Sequence, residues 1–163
     1  MSVNRHLPHV LVLPEDDANR QLANGFLLDP YLSTWKIQVL EEAGGWIEVL
    51  DRFVSDHIAA MNRYADRYMV LLIDFDAREE RRQAAMGKIP ETLRERVFIL
   101  GTWTEPEDLK RAGLGTYEAI GKLMAQDCRE QTSTTWGHDL LRHNTKEIDR
   151  LRDRVCPILF PAD

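Results

Sequence analysis

The sequence predicts an α/β fold on a central, mostly parallel four-stranded sheet flanked by helices. Three observations carry that expectation. Short apolar runs rich in Val, Ile and Leu recur at 9–13, 35–40, 68–76 and 96–100, with the length and composition of buried strands. Longer segments with apolar residues at helical spacing lie between them. Strands alternating with helices pack as a parallel sheet covered on both faces.

The elements follow in chain order. "HVLVL" (9–13) is a buried strand that "PEDD" ends. A helix runs on to about Leu28, with Ala18, Leu22 and Phe26 on one stripe. "WKIQVL" (35–40) alternates apolar and polar residues and reads as the second strand, with "EEAGG" as the turn after it. From Trp46 to about Tyr64, the residues Trp46, Leu50, Phe53, His57 and Met61 share one helical stripe. "YMVLLIDFD" is the third strand and "REERRQAAMGKI" a helix that ends near Gly87 and Pro90. "RVFIL" (96–100) is the fourth strand. A short helix follows, with Thr104 as its expected cap, Pro106 in its first turn and Gly113 as its stop. Two more helices are expected near 115–130 and 138–154, and "CPILF" reads as a small edge strand.

Composition limits the function classes. A chain of 163 residues is most simply one domain. Apolar residues at 44% and charged residues at 29% are ordinary for a soluble protein, and no run of 18 apolar residues predicts a membrane span. The apolar stretch at the start is read as a strand and not as a signal peptide. Cys128 and Cys156 lack zinc-ligand spacing and are expected as free thiols in a reducing cytoplasm. A net charge of −6 argues against a standalone nucleic-acid binder. The basic groups Arg78, Arg81 and Arg82, Lys110 and Arg111, and Arg142, His143 and Lys146 are expected mainly on solvated helix faces.

Acids gather where a parallel sheet binds its ligands, beyond the carboxyl ends of the strands. Glu15, Asp16 and Asp17 follow the first strand, Glu41 and Glu42 the second, Asp74 and Asp76 end the third, and Glu105 and Glu107 follow the fourth. Asp16 and Asp17 suit a helix cap, and Glu41 and Glu42 an ordinary polar turn. Asp74 and Asp76 differ, because two aspartates ending so apolar a strand are costly without compensation. If the strand runs through both, they face one point while Phe75 turns to the core. A divalent cation such as Mg²⁺ would offset their repulsion while keeping several of its waters.

On these residues the chain resembles a known family. "VLVLPEDDANRQLANGF", "VLEEAGGW", "VLLIDFD" and "VFILGTWTEPEDL" look like the Toprim domain, most like the Toprim part of OLD-family nucleases. The match covers about residues 9–112, which leaves about 113–163 as a helical extension. The resemblance implies Glu15, Asp74 and Asp76 as catalytic and metal-binding acids and Gly44–Gly45 as the glycine turn. Glu105 or Glu107 would supply the late acid, Glu107 being preferred. It also implies Mg²⁺ or Mn²⁺ as cofactor and phosphodiester cleavage of a nucleic acid as the activity. The chain departs from the pattern at Pro14, before Glu15, and at Asn19, where OLD-type enzymes often have aspartate. It contains no GxxxxGK[ST] motif, so an OLD-type activity needs a partner ATPase-type subunit.

Two alternatives stand beside that reading. One is a non-catalytic Toprim-like binding subunit, which Asn19 and the acidic net charge favour. The other is a receiver-like domain with Asp74 as phosphoacceptor and Thr102 as the hydroxyl after the fourth strand. His138 and His143 are five residues apart, not the helical four of a zinc pair, and Trp136, Leu140 and Leu141 are expected as core anchors.

Overall fold

In the computed structural model, which describes residues 2–162, four strands form one parallel sheet. They are β1 (His9–Pro14), β2 (Ile37–Val39), β3 (Arg67–Leu72) and β4 (Val97–Leu100), in the order β2-β1-β3-β4. The expected fold class is the one observed. β1 and β3 occupy the centre, and every residue of β1 is buried. That explains their unbroken apolar runs, since a central parallel strand meets helices on both sides.

The sheet separates two cores, and the pleat assigns alternate residues to each. Val10, Val12, Val70 and Leu100 face one side. There they meet α1 (Asp17–Phe26), α6 (Tyr117–Glu130), α7 (Thr145–Arg154) and α8 (Cys156–Leu159) through Leu22, Met124, Leu151 and Leu159. Leu11, Leu13, Leu71 and Ile99 face the other. Their partners are Leu50 of α2 (Trp46–Arg52), Met61 of α3 (Ile58–Arg63) and Ala85 of α4 (Glu80–Lys88). The helices after residue 113 therefore share a core with the strands, and Trp136 and Leu141 are buried in it as expected. α1 and α6 touch backbone to backbone. A Cβ on Gly25 would lie 2.2 Å from the Glu118 carbonyl oxygen, and one on Gly121 would lie 1.9 Å from that of Leu22.

Several expectations are corrected. The helix over 46–64 is broken by one wide π-type turn, Phe53–His57, which shifts the stripe enough to keep both Phe53 and Met61 fully buried. The second strand is shorter than 35–40, because Trp35 lies in a 3₁₀ turn and is 61% exposed. The regular strand β3 ends at Leu72 and not at Asp76. The short helix α5 (Pro106–Arg111) is preceded by Glu105 and not capped by Thr104. "CPILF" forms the helix α8 and not an edge strand, with Pro157 in its first turn. The free edge of β4 is instead covered by polar side chains of the segment 144–150. Ile99 N donates to Glu147 Oε2 at 2.8 Å, and Asn144 brackets Gly101, accepting from its N–H at 3.3 Å and donating to its carbonyl at 2.9 Å. Such cover protects an edge from pairing with another chain.

Cys128 and Cys156 form a disulfide, with 5.9 Å between Cα atoms, so the free-thiol expectation is overturned. The physical reason is tertiary: α6 and α8 pack on the same face of the sheet and bring two buried cysteines together. The argument from free thiols to a cytoplasmic setting falls with it. The bridge spans 28 residues, a loop for which cross-linking contributes about 3.5 kcal/mol. Reduction under native conditions is expected to lower Tm by roughly 7–14 °C, read by thermal scans with and without dithiothreitol. No change on confirmed reduction would remove the bridge from the stability argument. Among the described residues, no helix is long and apolar enough to cross a membrane.

Candidate functional site

The carboxyl edge of the sheet is shaped by where β3 stops. The chain stays extended past Leu72: Ile73 N donates to Leu100 O at 2.9 Å and Phe75 N to Thr102 O at 3.1 Å. Phe75 thus turns into the core, fully buried, while Asp74 points to the opposite face. At Asp76 and Ala77 the backbone enters the left-handed region, with φ of 51° and 54°. Two consecutive non-glycine residues there are unusual and mark a turn that its surroundings over-determine. Ala77 N donates to Trp103 O at 2.7 Å and Asp76 N to Thr104 O at 3.3 Å, which holds the turn. The alternation that would aim both aspartates at one point is broken. Asp76 is exposed and faces Arg81 at 3.5 Å and Arg78 at 4.0 Å.

Asp74 and Glu15 are brought together. Glu15 Oε2 accepts a hydrogen bond from Asp74 N at 2.6 Å, so the first-strand glutamate fastens the loop that carries the aspartate. The glycine turn lies against it: Gly44 N donates to Glu15 O at 2.9 Å, with φ of 108° at Gly44, a conformation for which glycine is the natural choice. Arg81 Nη1 donates to Asp74 O at 2.8 Å, and its guanidinium stands 4.9 Å from the Trp46 ring centre.

Asn19 is the residue whose role the sequence left open. It is fully buried, and its Nδ2 donates to Asp16 Oδ1 at 2.9 Å and to Asp74 Oδ1 at 2.8 Å. Asp16 also caps α1 by accepting from Asn19 N at 2.9 Å, as expected of an acid there. One amide thus bridges two carboxylates and offsets part of their repulsion. Asp16 stands three residues ahead of Asn19, a spacing that signals the cap but not the bridge to Asp74. Nothing local marks Arg81 or Tyr117 as members of the site.

The electrostatics follow from burial and crowding. Burial pushes Asp74 up to about 7; Glu15, Asp16 and Glu107 add to the rise, and the Asn19 bond opposes it. Burial also raises Glu15, and Asp16 adds to that rise. Of the two late acids, Glu107 is the one whose charge reaches Asp74, and burial together with Glu107 raises the Tyr117 phenol. Glu105 is exposed, 3.9 Å from Arg111. Glu42 pairs with Arg20 at 3.2 Å, the ordinary turn role expected of it.

Among the described residues, no three His, Cys, Asp or Glu side chains stand close enough to enclose a metal ion. The donor set fits a hard divalent cation in a more limited way, through one or two carboxylates with water completing the shell. Asp74 Oδ2 receives no hydrogen bond from the described residues, and three further carboxylates crowd Asp74. Asp76 does not belong to that set.

The role of Asn19 gives a direct test. Asn19→Asp is expected to place a third carboxylate in a buried contact with two others and to lower the metal-free Tm by at least about 5 °C. Mn²⁺ is expected to restore most of that loss by neutralising the cluster. Equal metal-free stability of the variant and the wild type would mean that the amide bridges nothing of consequence.

Six of the basic residues have one of two uses. Arg81 supports the Asp74 loop. Arg82, Arg94, Arg142, Lys146 and Arg150 line an open groove of about 800 Å³ together with Glu79, Glu95 and Glu147. His143 forms its inner wall, packed edge-on to Phe75 at 4.8 Å; burial and Arg82 lower its pKa to about 4 and keep it neutral. No family model, curated protein or solved structure matches the chain.

Proposed function

We propose that the chain is a metal-dependent, phosphodiester-cleaving subunit that acts on a nucleic acid together with a partner. The observation that carries the reading is Asp74: a carboxyl at the carboxyl edge of a parallel sheet, held near pKa 7 by burial and three neighbouring acids. Carboxylates so crowded are typical of sites that work on a cation or a proton.

Asp74 and Glu107 would hold Mg²⁺ or Mn²⁺, with Asp16 close by. When bound, such an ion lowers the pKa of a water and offsets charge on a phosphoryl group. The chain's own residues do the rest. Glu15 fixes the Asp74 backbone through its N–H. Asn19 sets the side-chain orientation of Asp74. In the metal-free chain Asp74 titrates near neutral pH, so loading a cation there would displace its proton. Arg78, 70% exposed beside Asp76, is placed to meet a phosphate at the rim. The phosphoacceptor alternative is weaker, because no fifth strand follows β4 among the described residues.

A partner enters for electrostatic reasons. Non-specific affinity for nucleic acid comes mainly from neutralised phosphates, and the chain carries a net charge of −6. The purified chain alone, in Mn²⁺ at about 150 mM salt, is expected to bind labelled DNA weakly and cleave it slowly. Addition of an ATPase-type subunit encoded nearby is expected to restore cleavage. Rapid cleavage by the chain alone would remove the partner. Inactivity in every combination, with Mn²⁺ still bound, would leave the binding-subunit reading in its place.

A further inference from the structure

At the opposite edge of the sheet, where β1 and β3 begin, three guanidiniums surround one tyrosine ring. Arg67 is the first residue of β3, Arg63 ends α3, and Arg5 comes from the segment before β1. Their Cζ atoms stand 5.0, 5.5 and 5.6 Å from the centre of the Tyr64 ring, within reach of a cation–π contact. None of the three is in an ion pair among the described residues. Asp66 and Asp56 are felt at this edge by His9 and His57, and neither pairs with a guanidinium. Arg96 adds a fourth positive charge but serves the fold: it donates to the carbonyls of Met61, Tyr64 and Arg67 at 2.9, 3.1 and 2.9 Å.

Arg67 is 7% exposed. Its Nε donates to His9 Nε2 at 3.0 Å, and His9 Nδ1 donates to the Leu7 carbonyl at 2.7 Å. A ring that accepts at one nitrogen and donates at the other is neutral. The one partner of this buried cation is therefore uncharged. Its two Nη atoms have no hydrogen-bond partner among the described residues and are not sealed from solvent. Burial and then Arg5 lower the pKa of Arg67, and no carboxylate opposes them. A buried charge without a counter-charge is costly, and like charges beside it add to the cost. An oxyanion between the guanidiniums offsets both.

We propose that this edge binds a terminal phosphate, a monoester dianion, between Arg5, Arg63 and Arg67. Guanidinium forks match phosphate oxygens in pairs. A phosphomonoester carries a charge of about −1.5 to −2 near neutral pH, whereas a carboxylate or an internal phosphodiester is a monoanion. Three cations without a counter-ion favour the more highly charged group. Tyr64 adds a neutral donor: its Oη accepts from Arg5 Nη1 at 3.4 Å and keeps its own proton for a ligand oxygen. Two sources present such a group, a free phosphorylated small molecule and the phosphorylated end of a nucleic-acid strand. Asp74 lies at the other end of the same extended segment, about 23 Å from Arg67 at the rise of a strand. The site is thus separate from the acidic edge, and it stands whether or not the chain cleaves phosphodiesters.

The test follows the whole chain by isothermal titration and thermal scans in phosphate-free buffer. Inorganic phosphate is expected to bind saturably and to raise Tm, while chloride at matched ionic strength does neither. Arg5→Gln and Arg63→Gln, both at exposed positions, should keep the phosphate-free Tm and each weaken phosphate binding about tenfold. Arg67→Met keeps the apolar stem and removes the charge; it should abolish phosphate binding without lowering the phosphate-free Tm. Lys122→Gln, exposed on α6, should change nothing. A 5′-phosphorylated oligonucleotide and its unphosphorylated twin separate the sources. Binding of the phosphorylated one alone assigns the site to a strand end; binding of inorganic phosphate and neither oligonucleotide assigns it to a small molecule. Equal effects of phosphate and chloride overturn the proposal. So does phosphate binding that survives Arg5→Gln and Arg63→Gln combined, and so does equal binding of the two oligonucleotides.

Discussion

Asp74→Asn is expected to leave the metal-free protein more stable above pH 7 while removing metal response and cleavage. The sign follows from linkage. The folded-state pKa of Asp74 is about 7 against an ordinary 3.8, so the native state holds the proton more tightly than the unfolded chain does. The stability this group contributes is fully present below about pH 4 and is lost as pH rises through 7. Asparagine is neutral throughout and still offers Oδ1 to the Asn19 amide, the bond seen at 2.8 Å. A shift of this size corresponds to at most about 4 kcal/mol. Because the site is partly open to solvent, a gain of roughly 1–3 kcal/mol and about 3–8 °C in Tm is expected at pH 8. Cleavage should drop by at least about 100-fold, and Mn²⁺ should no longer raise Tm. Thermal scans of both proteins at pH 5 and pH 8 decide it. Parallel pH dependence in the two would show that Asp74 ionises as an ordinary surface acid. Asp76→Asn, by contrast, should barely change stability, because Asp76 is exposed and meets only Arg78 and Arg81.

The largest loss of stability is expected from Asp127→Ala, far from the acidic edge. Asp127 is 2% exposed at the end of α6. Its carboxylate accepts from Thr132 Oγ1 at 2.5 Å and from the backbone N–H groups of Thr134, Thr135 and Trp136 at 3.1, 2.8 and 3.0 Å. It thereby ties down the turn that delivers Trp136 to the core. Alanine leaves three backbone donors without their acceptor, at about 1–3 kcal/mol for each one that stays buried. Allowing for water reaching some of them, a loss of about 3–5 kcal/mol is expected, seen as a lower urea midpoint with little change in slope. Asp127→Asn should cost less, since one oxygen remains to accept. A loss under about 1 kcal/mol for the alanine variant would mean that the turn holds its shape without the carboxylate.

By itself the sequence determined what local pattern determines. Four apolar runs and the helical stripes between them were enough for a parallel α/β sheet, because periodicity of two and of 3.6 is a property of neighbouring residues. The placement of Glu15, Asp74 and Glu107 at the carboxyl edge follows from that topology, as does the cap at Asp16. The tertiary structure decided everything that depends on contacts between distant segments. Asp76 leaves the site because its turn is held by carbonyls of residues 103 and 104, which no pattern around 71–76 reveals. Asn19 becomes a bridge between acids because α1 lies over the end of β3, a contact across 55 residues. Cys128 finds Cys156, and "CPILF" coils instead of extending, because α6, α7 and α8 cover one face of the sheet and side chains at 144–150 already satisfy its free edge. Local propensity leaves such outcomes undecided; burial of the shared apolar face and pairing of each buried polar group choose among them.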